Sequence, residues 1–497
     1  MITTLHRLRL TLLLSSCISL YFICCSTDKK NIDQLPNDIQ RFILENTDDL
    51  YSTVPLFVRR NGESYPLDFD TVKNEIELSR IIEKENLLFT AQSIHESELL
   101  SDPSIYENVN SALKIKNKNP WNLDIPDSIS SNYLLPYKVL FEKNGPWQKA
   151  FHEKFGSILL SIPKKRLSKK QIDSLIESNV IRLDTGHIFT GRAAKYRISA
   201  WPGILEIMMV KSGDCQSESI KNVYLYRSLG IPAAIDFTPF YGGGNDGHST
   251  AVSWNSQMQK FRPKAGQGFN PDYRVAKAFR WSFKKSNVWQ VDIVPFLDSR
   301  NPFPIPELMN NHWIDVTIDH AEVNDISMDI SSAQGNIAFI FTYSYGEWRP
   351  IFYGTRTRKD NFIFRNMAVN VLYRTGHYDN KGKLNLDNDV FILQKDGKLR
   401  LMNNEKSVSQ PQIKKIRMER NNYGGEAWIK CNRAYSLLGL NDCGRWDTVY
   451  TLSAKRDSLI DFPEFLSKHQ IFALMEHAAS RRLERPFYLL NDSIVWY

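Results

Sequence analysis

From Ser212 to Ser249 the chain reads SGDCQSESIKNVYLYRSLGIPAAIDFTPFYGGGNDGHS, and this stretch limits the fold more than any other. Asp214 suits the position just before a helix, where its carboxylate accepts from the first free N–H groups. Cys215 then falls in the first turn, where the helix dipole and unpaired amides favour the thiolate. Ile220, Val223 and Tyr224 share one face of this helix, and Gly230 followed by Pro232 ends it. Ala233 to Phe237 reads as a buried strand, and 241–247 as a glycine loop loose enough to border a substrate cleft. His248, Val252 and Trp254 stand at even spacing, so a second strand turns all three to one face. A thiol at a helix start followed by an imidazole on a strand is a cysteine-nucleophile arrangement.

Three motifs here, Gly213-Asp214-Cys215, Arg227-Ser228-Leu229-Gly230-Ile231-Pro232 and Gly247-His248-Ser249, resemble the core of the transglutaminase-like superfamily. Tyr133-Leu134-Leu135-Pro136-Tyr137-Lys138, with Trp147 after it, is similar to the segment that precedes this core in large surface lipoproteins of the Bacteroidetes type. The resemblance implies an α+β fold with a papain-like centre. It also implies that Cys215 is the nucleophile, that His248 takes its proton, and that a third residue orients the imidazole. The family's acidic residue sits across a hairpin from the His, which here falls near 261–267, yet no Asp or Glu occurs between His248 and Asp272. Asp272 is the expected third residue, with Gln267 and Asn270 as alternatives. Trp201 is the expected second oxyanion donor through its indole N–H, set against a plain role as a core anchor at a helix start.

The first 25 residues read as a secretory leader: Arg7 and Arg9 precede an apolar stretch ending in cysteines. Cys25 is the expected lipidated residue, with Cys24 and Cys17 as alternatives, which places the protein in the cell envelope, anchored at the outer membrane. Three of the six cysteines then remain, Cys215, Cys431 and Cys443. In an oxidising space Cys431 and Cys443 are a candidate disulfide, leaving Cys215 as the odd thiol. The formal charge of +8 drops by two when Arg7 and Arg9 leave with the leader, and the remaining charge is spread, so no nucleic-acid partner is expected. With no phosphate loop, nucleotide fingerprint or calcium loop, no metal or other cofactor is expected.

At 497 residues the chain exceeds a single ordinary domain. Expected are a helical N-terminal arm (26–130), the transglutaminase-like core (131–300), a β-sandwich (301–410) and a β-rich C-terminal domain (411–497). In the arm, Leu78, Ile81, Ile82 and Phe89 mark an amphipathic helix. Asn301-Pro302-Phe303-Pro304-Ile305-Pro306 is the clearest boundary, and the strand-like segments beyond it include a hairpin turn at Lys395-Asp396-Gly397-Lys398. A helix is expected over Leu466–Arg482, with a closing strand from Phe487 to Tyr497. The expected activity is thiol acyl transfer on peptide or amide bonds, chiefly hydrolysis, as a cysteine peptidase, amidase or acyltransferase on a peptide, protein or glycopeptide substrate. The alternative is a catalytically inactive surface protein that binds peptide or glycan.

Overall fold

A computed structural model describes residues 32–157, 201–286, 304–402 and 429–497, each with short omissions, together with scattered positions between 168 and 189 and the pair 416–417. Cys17, Cys24, Cys25 and Cys443 lie outside the described residues. The fold is α+β. Among the described residues no helix is long and apolar enough to cross a membrane.

The N-terminal region is not the purely helical arm expected. Helix α1 (Asn37–Glu45) is followed by a three-stranded antiparallel sheet of β1 (Tyr51–Arg59), β2 (Ser64–Tyr65) and β3 (Leu87–His95), with β1 in the middle. The spacing of Leu78, Ile81 and Ile82 does mark a helix, α2 (Glu75–Glu85), but Asn86 at φ 50° stops it and Phe89 belongs to β3. A residue in the left-handed region cannot continue a right-handed helix. Helix α3 (Pro103–Lys118) starts on Asp102, whose carboxylate accepts from the Ser104 N–H at 2.9 Å, and ends at Asn119 in the left-handed conformation.

Helices α4 (Trp147–Phe155) and α5 (Ile204–Val210) lead to α6 (Cys215–Ser228). Beside α6 lies a five-stranded antiparallel sheet of β4 (Ala233–Thr238), β5 (His248–Asn255), β6 (Lys260–Pro263), β7 (Phe279–Trp281) and β8 (Trp313–Asp315), in the order β8-β7-β4-β5-β6. Strand β8 lies past the proline-rich segment expected as the domain boundary. Trp313 pairs with Trp281, and Ile305 and Leu308 are buried, so the boundary at 300/301 is displaced. Proline suppresses helix and ladder locally but does not prevent apolar neighbours from packing into a core.

The expected sandwich over 301–410 is instead one hydrogen-bonded sheet of seven antiparallel strands, β9 (Val323–Asp329), β10 (Ile337–Ser344), β11 (Glu347–Arg356), β12 (Asn361–Ala368), β13 (Leu372–Tyr378), β14 (Leu384–Leu393) and β15 (Leu399–Leu401), in the order β9-β12-β11-β10-β13-β14-β15. Every residue of β10 is buried, so both faces of the sheet are covered along this strand. On one face Phe352 packs against Phe279 and Trp313 of the core. On the other, Leu372, Val390 and Ile392 join Leu440, Ile471 and Tyr497 of the C-terminal region. That region forms a five-stranded sheet of β16 (Ala434–Leu440), β17 (Trp446–Ser453), β18 (Phe472–Glu476), β19 (Phe487–Leu490) and β20 (Ser493–Trp496), in the order β17-β16-β18-β19-β20. Strand β18 occupies part of the span expected to be helical. Its Phe472, Ala473 and Leu474 are buried along β16, and that pairing overrides helix propensity.

Candidate active site

Asp214 caps α6 as its sequence requires: one carboxylate oxygen accepts from the Ser217 N–H and hydroxyl, both at 3.0 Å. Cys215 is the first residue of the helix and is half-buried. Its sulfur also meets the backbone N–H of Ser249, one residue past His248 on β5. The chain thus brings Cys215 and the start of β5 to one corner.

The ladder decides what His248 can do there. In the β4–β5 register His248 stands opposite Thr238, Thr250 opposite Asp236, and Val252 opposite Ala234, so these six share a face. The even spacing of His248, Val252 and Trp254 is therefore real. Ile235 and Ala251, on the other face, join the cluster that holds Ile220, Val223 and Tyr224 of α6, whereas Ala234, Val252 and Trp254 join Tyr133 and Phe261. The His248 imidazole accordingly lies on the Asp236 face, against Tyr241 (centroids 6.2 Å apart) and Phe269 (6.0 Å). Among the described residues it makes no hydrogen bond, either to Cys215 or to a carboxylate.

Electrostatics follow the packing. Burial pushes the Cys215 thiol up, Asp214 and Asp246 push the same way, and the N–H groups of Ser249 and Gln216 offset this only in part. Burial pushes the His248 imidazole down against the pull of Asp246. Both shifts favour the neutral forms, a thiol and an imidazole, over a thiolate and an imidazolium.

The expected third residues lie elsewhere. Asp272 is exposed in a short 3₁₀ turn (Pro271–Tyr273), and Asn270 caps that turn by accepting from the Asp272 N–H at 3.0 Å. Gln267 reaches α6: its amide nitrogen donates to Glu218 and its oxygen accepts from Asn222 at 3.1 Å. Trp201 is a packing ring, edge-on to Phe141 (5.1 Å) and Trp281 (5.9 Å), and its indole makes no hydrogen bond among the described residues. Cys431 is a free, exposed thiol whose sulfur lies 3.2 Å from the Lys455 carbonyl. Among the described residues no group of His, Cys, Asp and Glu side chains is placed to hold a metal ion.

Two features were not foreseen. The first is a buried hub on the His248 face. Arg280 forks onto Asp236 (2.6 and 2.9 Å), and His320 Nε2 meets the same carboxylate at 2.8 Å. The Phe269 ring bridges His320 (4.6 Å) and His248. On this face the imidazole held by a carboxylate, among the described residues, is thus His320 and not His248. Only the folded chain reveals this, since Asp236 and His320 are 84 positions apart and His320 ends a short helix, Thr317–His320, outside the strand register.

The second is that the glycine loop is clamped and not loose. Gly242 and Gly243 donate to the carbonyls of Arg274 (2.7 Å) and Tyr273 (2.5 Å). The Arg485 guanidinium donates to the carbonyls of Gly242 (2.6 Å), Gly244 (3.1 Å) and Tyr497 (2.7 Å). Asp246, at φ 73°, accepts from the Tyr345 hydroxyl at 3.1 Å, while its own N–H donates to Ser344. Its position two residues before His248, inside a glycine run, was the signal available. A Cβ at Gly247 would run into the carbonyl oxygens of Pro239 and Thr238. Gly247→Ala is therefore expected to cost about 1–3 kcal/mol and to shift the His248 ring resonances, read by urea unfolding and NMR; unchanged stability would mean that the turn yields freely.

No family model matches the chain, and no curated protein does. Among solved structures, red sea bream transglutaminase is similar at 8% identity over 93% of this chain and 78% of that one, with a TM-score of 0.22. So remote a likeness carries no argument about the site.

Proposed function

We propose that this chain is an envelope protein, lipid-anchored through Cys25, that uses a transglutaminase-like scaffold to bind a peptide or glycan without turning it over. One observation carries the reading: the His248 ring sits among Tyr241 and Phe269 on the Asp236 face and, among the described residues, has no bond to Cys215 and no carboxylate to orient it. Cysteine catalysis needs the imidazole to take the thiol proton, and the third group to hold it in place while it does so. Among the described residues the His248 ring has no hydrogen bond to the thiol and none to a carboxylate, so it meets neither need.

Hydrolytic acyl transfer through Cys215 is the second reading. The Asp214 cap and the N–H groups of Gln216 and Ser249 around the sulfur favour it, because such donors also suit a developing oxyanion. Alkylation of Cys215 by iodoacetamide, followed by mass spectrometry of its peptide across pH 6–10, separates the two. A binding protein gives a rate that climbs only above the ordinary thiol pKa of ~8.5 and changes less than about twofold in His248→Ala. A plateau of fast reaction near pH 7 that disappears in His248→Ala would mean an assembled pair and would establish the acyl-transfer reading.

A further inference from the structure

The N-terminal sheet ends on one side in β3, which pairs with β1 along its whole length and with no other strand among the described residues. Three bonds show which backbone groups that pairing uses. The Thr53 N–H donates to the Phe141 carbonyl at 2.7 Å and the Arg59 N–H to the Glu63 carbonyl at 2.8 Å, so the odd-numbered residues of β1 face away from β3. The Leu50 carbonyl accepts from the Glu96 N–H at 2.9 Å, so the even-numbered ones face it. Facing residues of an antiparallel ladder alternate between bonded and non-bonded pairs. Thr53 faces Ser93, Pro55 faces Ala91 and Phe57 faces Phe89, all in the non-bonded set, and Pro55 has no N–H to give. Phe89, Ala91 and Ser93 therefore turn their N–H and C=O groups outward, and among the described residues no backbone group bonds to them.

This edge carries none of the usual defences. From Leu87 to Ile94 there is no charged residue and no proline, the two devices that commonly blunt an exposed strand. Thr90, Ala91, Gln92 and Ser93 are exposed, two on each face of the sheet. On the odd face Leu87 and Phe57 pack with Leu78 of α2. On the even face Leu88 is 51% exposed, and Ile94, Val54, Leu56 and Val58 are half-buried and belong to none of the buried clusters.

Such an edge is its own complement. About a two-fold axis through Ala91, Ala91 faces its counterpart and Phe89 faces Ser93, and each of these pairs exchanges both backbone bonds. Leu88 then faces Ile94 and Thr90 faces Gln92, in the closer non-bonded pairs where side chains meet. Apolar meets apolar, hydroxyl meets amide, and no charge meets a like charge. An axis through Phe89 or Ser93 sets Leu88 against Thr90 or Ile94 against Gln92 and leaves part of the strand unpaired. We infer that the protein associates with a second copy of itself through β3, joining the two N-terminal sheets into one continuous sheet. The inference goes beyond the binding reading and does not depend on it. The contact is isologous and uses both outer edges, so association stops at the dimer.

Sedimentation velocity of the full chain in a density-matched detergent tests this. The parent is expected to show a concentration-dependent monomer–dimer equilibrium with no larger species. Thr90→Lys/Gln92→Lys sets like charges opposite each other twice across the axis, and is expected to weaken dimerisation about tenfold or more. Thr90→Lys/Gln92→Glu sets opposite charges there and is expected to restore it. Both positions are exposed, so circular dichroism and thermal unfolding should match the parent. With the exposed thiol removed by Cys431→Ser, Ala91→Cys is expected to give a disulfide-linked dimer on mild oxidation, its bridge identified by mass spectrometry. Thr90→Cys is expected not to do so, because residue 90 faces residue 92. A parent that stays monomeric to about 100 μM, a dimer indifferent to the two lysines, or one that the lysine–glutamate exchange does not restore overturns the inference. So does a monomer that binds a blocked peptide of alternating valine and threonine, which would make β3 an acceptor for strands of other proteins.

Discussion

Replacing Lys138 by methionine is expected to destabilise the protein by about 3–5 kcal/mol, the penalty for leaving half of a buried ion pair behind. Lys138 and Glu96 are both fully buried, with Nζ 2.6 Å from the carboxylate. Ser52 and Tyr137 each donate to Glu96 at 2.7 Å, so the carboxylate is saturated only while the ammonium is present. Burial pushes the Glu96 carboxyl up, and Lys138 together with these hydrogen bonds outweighs it and holds the group below its usual range. A depressed folded pKa contributes stability that is present above the unfolded value and is lost as pH falls through the folded one. In Lys138→Met the carboxyl rises instead, so the defect should be largest near pH 7 and shrink towards pH 4, where the acid form is tolerated. Urea unfolding at both pH values checks this, and Lys138→Met/Glu96→Gln should recover part of the loss. A pH-independent defect would mean that packing volume matters and charge does not. The pair joins the end of β3 to the segment entering the core, so it ties the N-terminal sheet to the rest.

Arg280→Met is expected to have an effect of similar size, again about 3–5 kcal/mol. It would strip the fully buried Asp236 of its forked partner and leave only His320. It also removes the guanidinium from the Phe261 ring, 4.3 Å away, and from Asp319. Burial pushes the Asp236 carboxyl up, but Arg280 and His320 hold it below its usual range. Its contribution in the parent protein is therefore complete above the ordinary carboxylate pKa and is lost only on strong acidification. Arg280→Lys should recover little, because an ammonium cannot make two parallel bonds to one carboxylate. Full recovery by lysine would reduce the hub to a simple charge requirement.

Much of the local architecture could be read directly from residues. Asp214 does cap α6, Gly230 at φ 82° ends it, and Gly397 at φ 81° makes the turn between β14 and β15. The alternation of His248, Val252 and Trp254 survives in the ladder. These signals are encoded within a few residues, by side chains that satisfy nearby backbone groups or permit a left-handed conformation. The errors arose where contacts between distant segments outvoted local preference. Residues around Phe472 were helical by pattern but became a strand along β16, and β8 crossed a proline-rich segment to complete the core sheet.

The same division separates the residues of the site from their chemistry. The sequence alone determined that a capped thiol begins a helix, that a histidine opens a strand, and that the chain is α+β. Only the tertiary structure decided which face of that strand meets the helix. A period of two sorts side chains into two sets without saying which set is covered by what. The packing of Ile235 and Ala251 with the α6 cluster turned His248 towards Phe269, register with β7 gave Asp236 to Arg280, and the short helix Thr317–His320 brought His320 to the same carboxylate. Face selection is set by the apolar surface that each arrangement buries across the whole domain, which no short stretch of sequence contains.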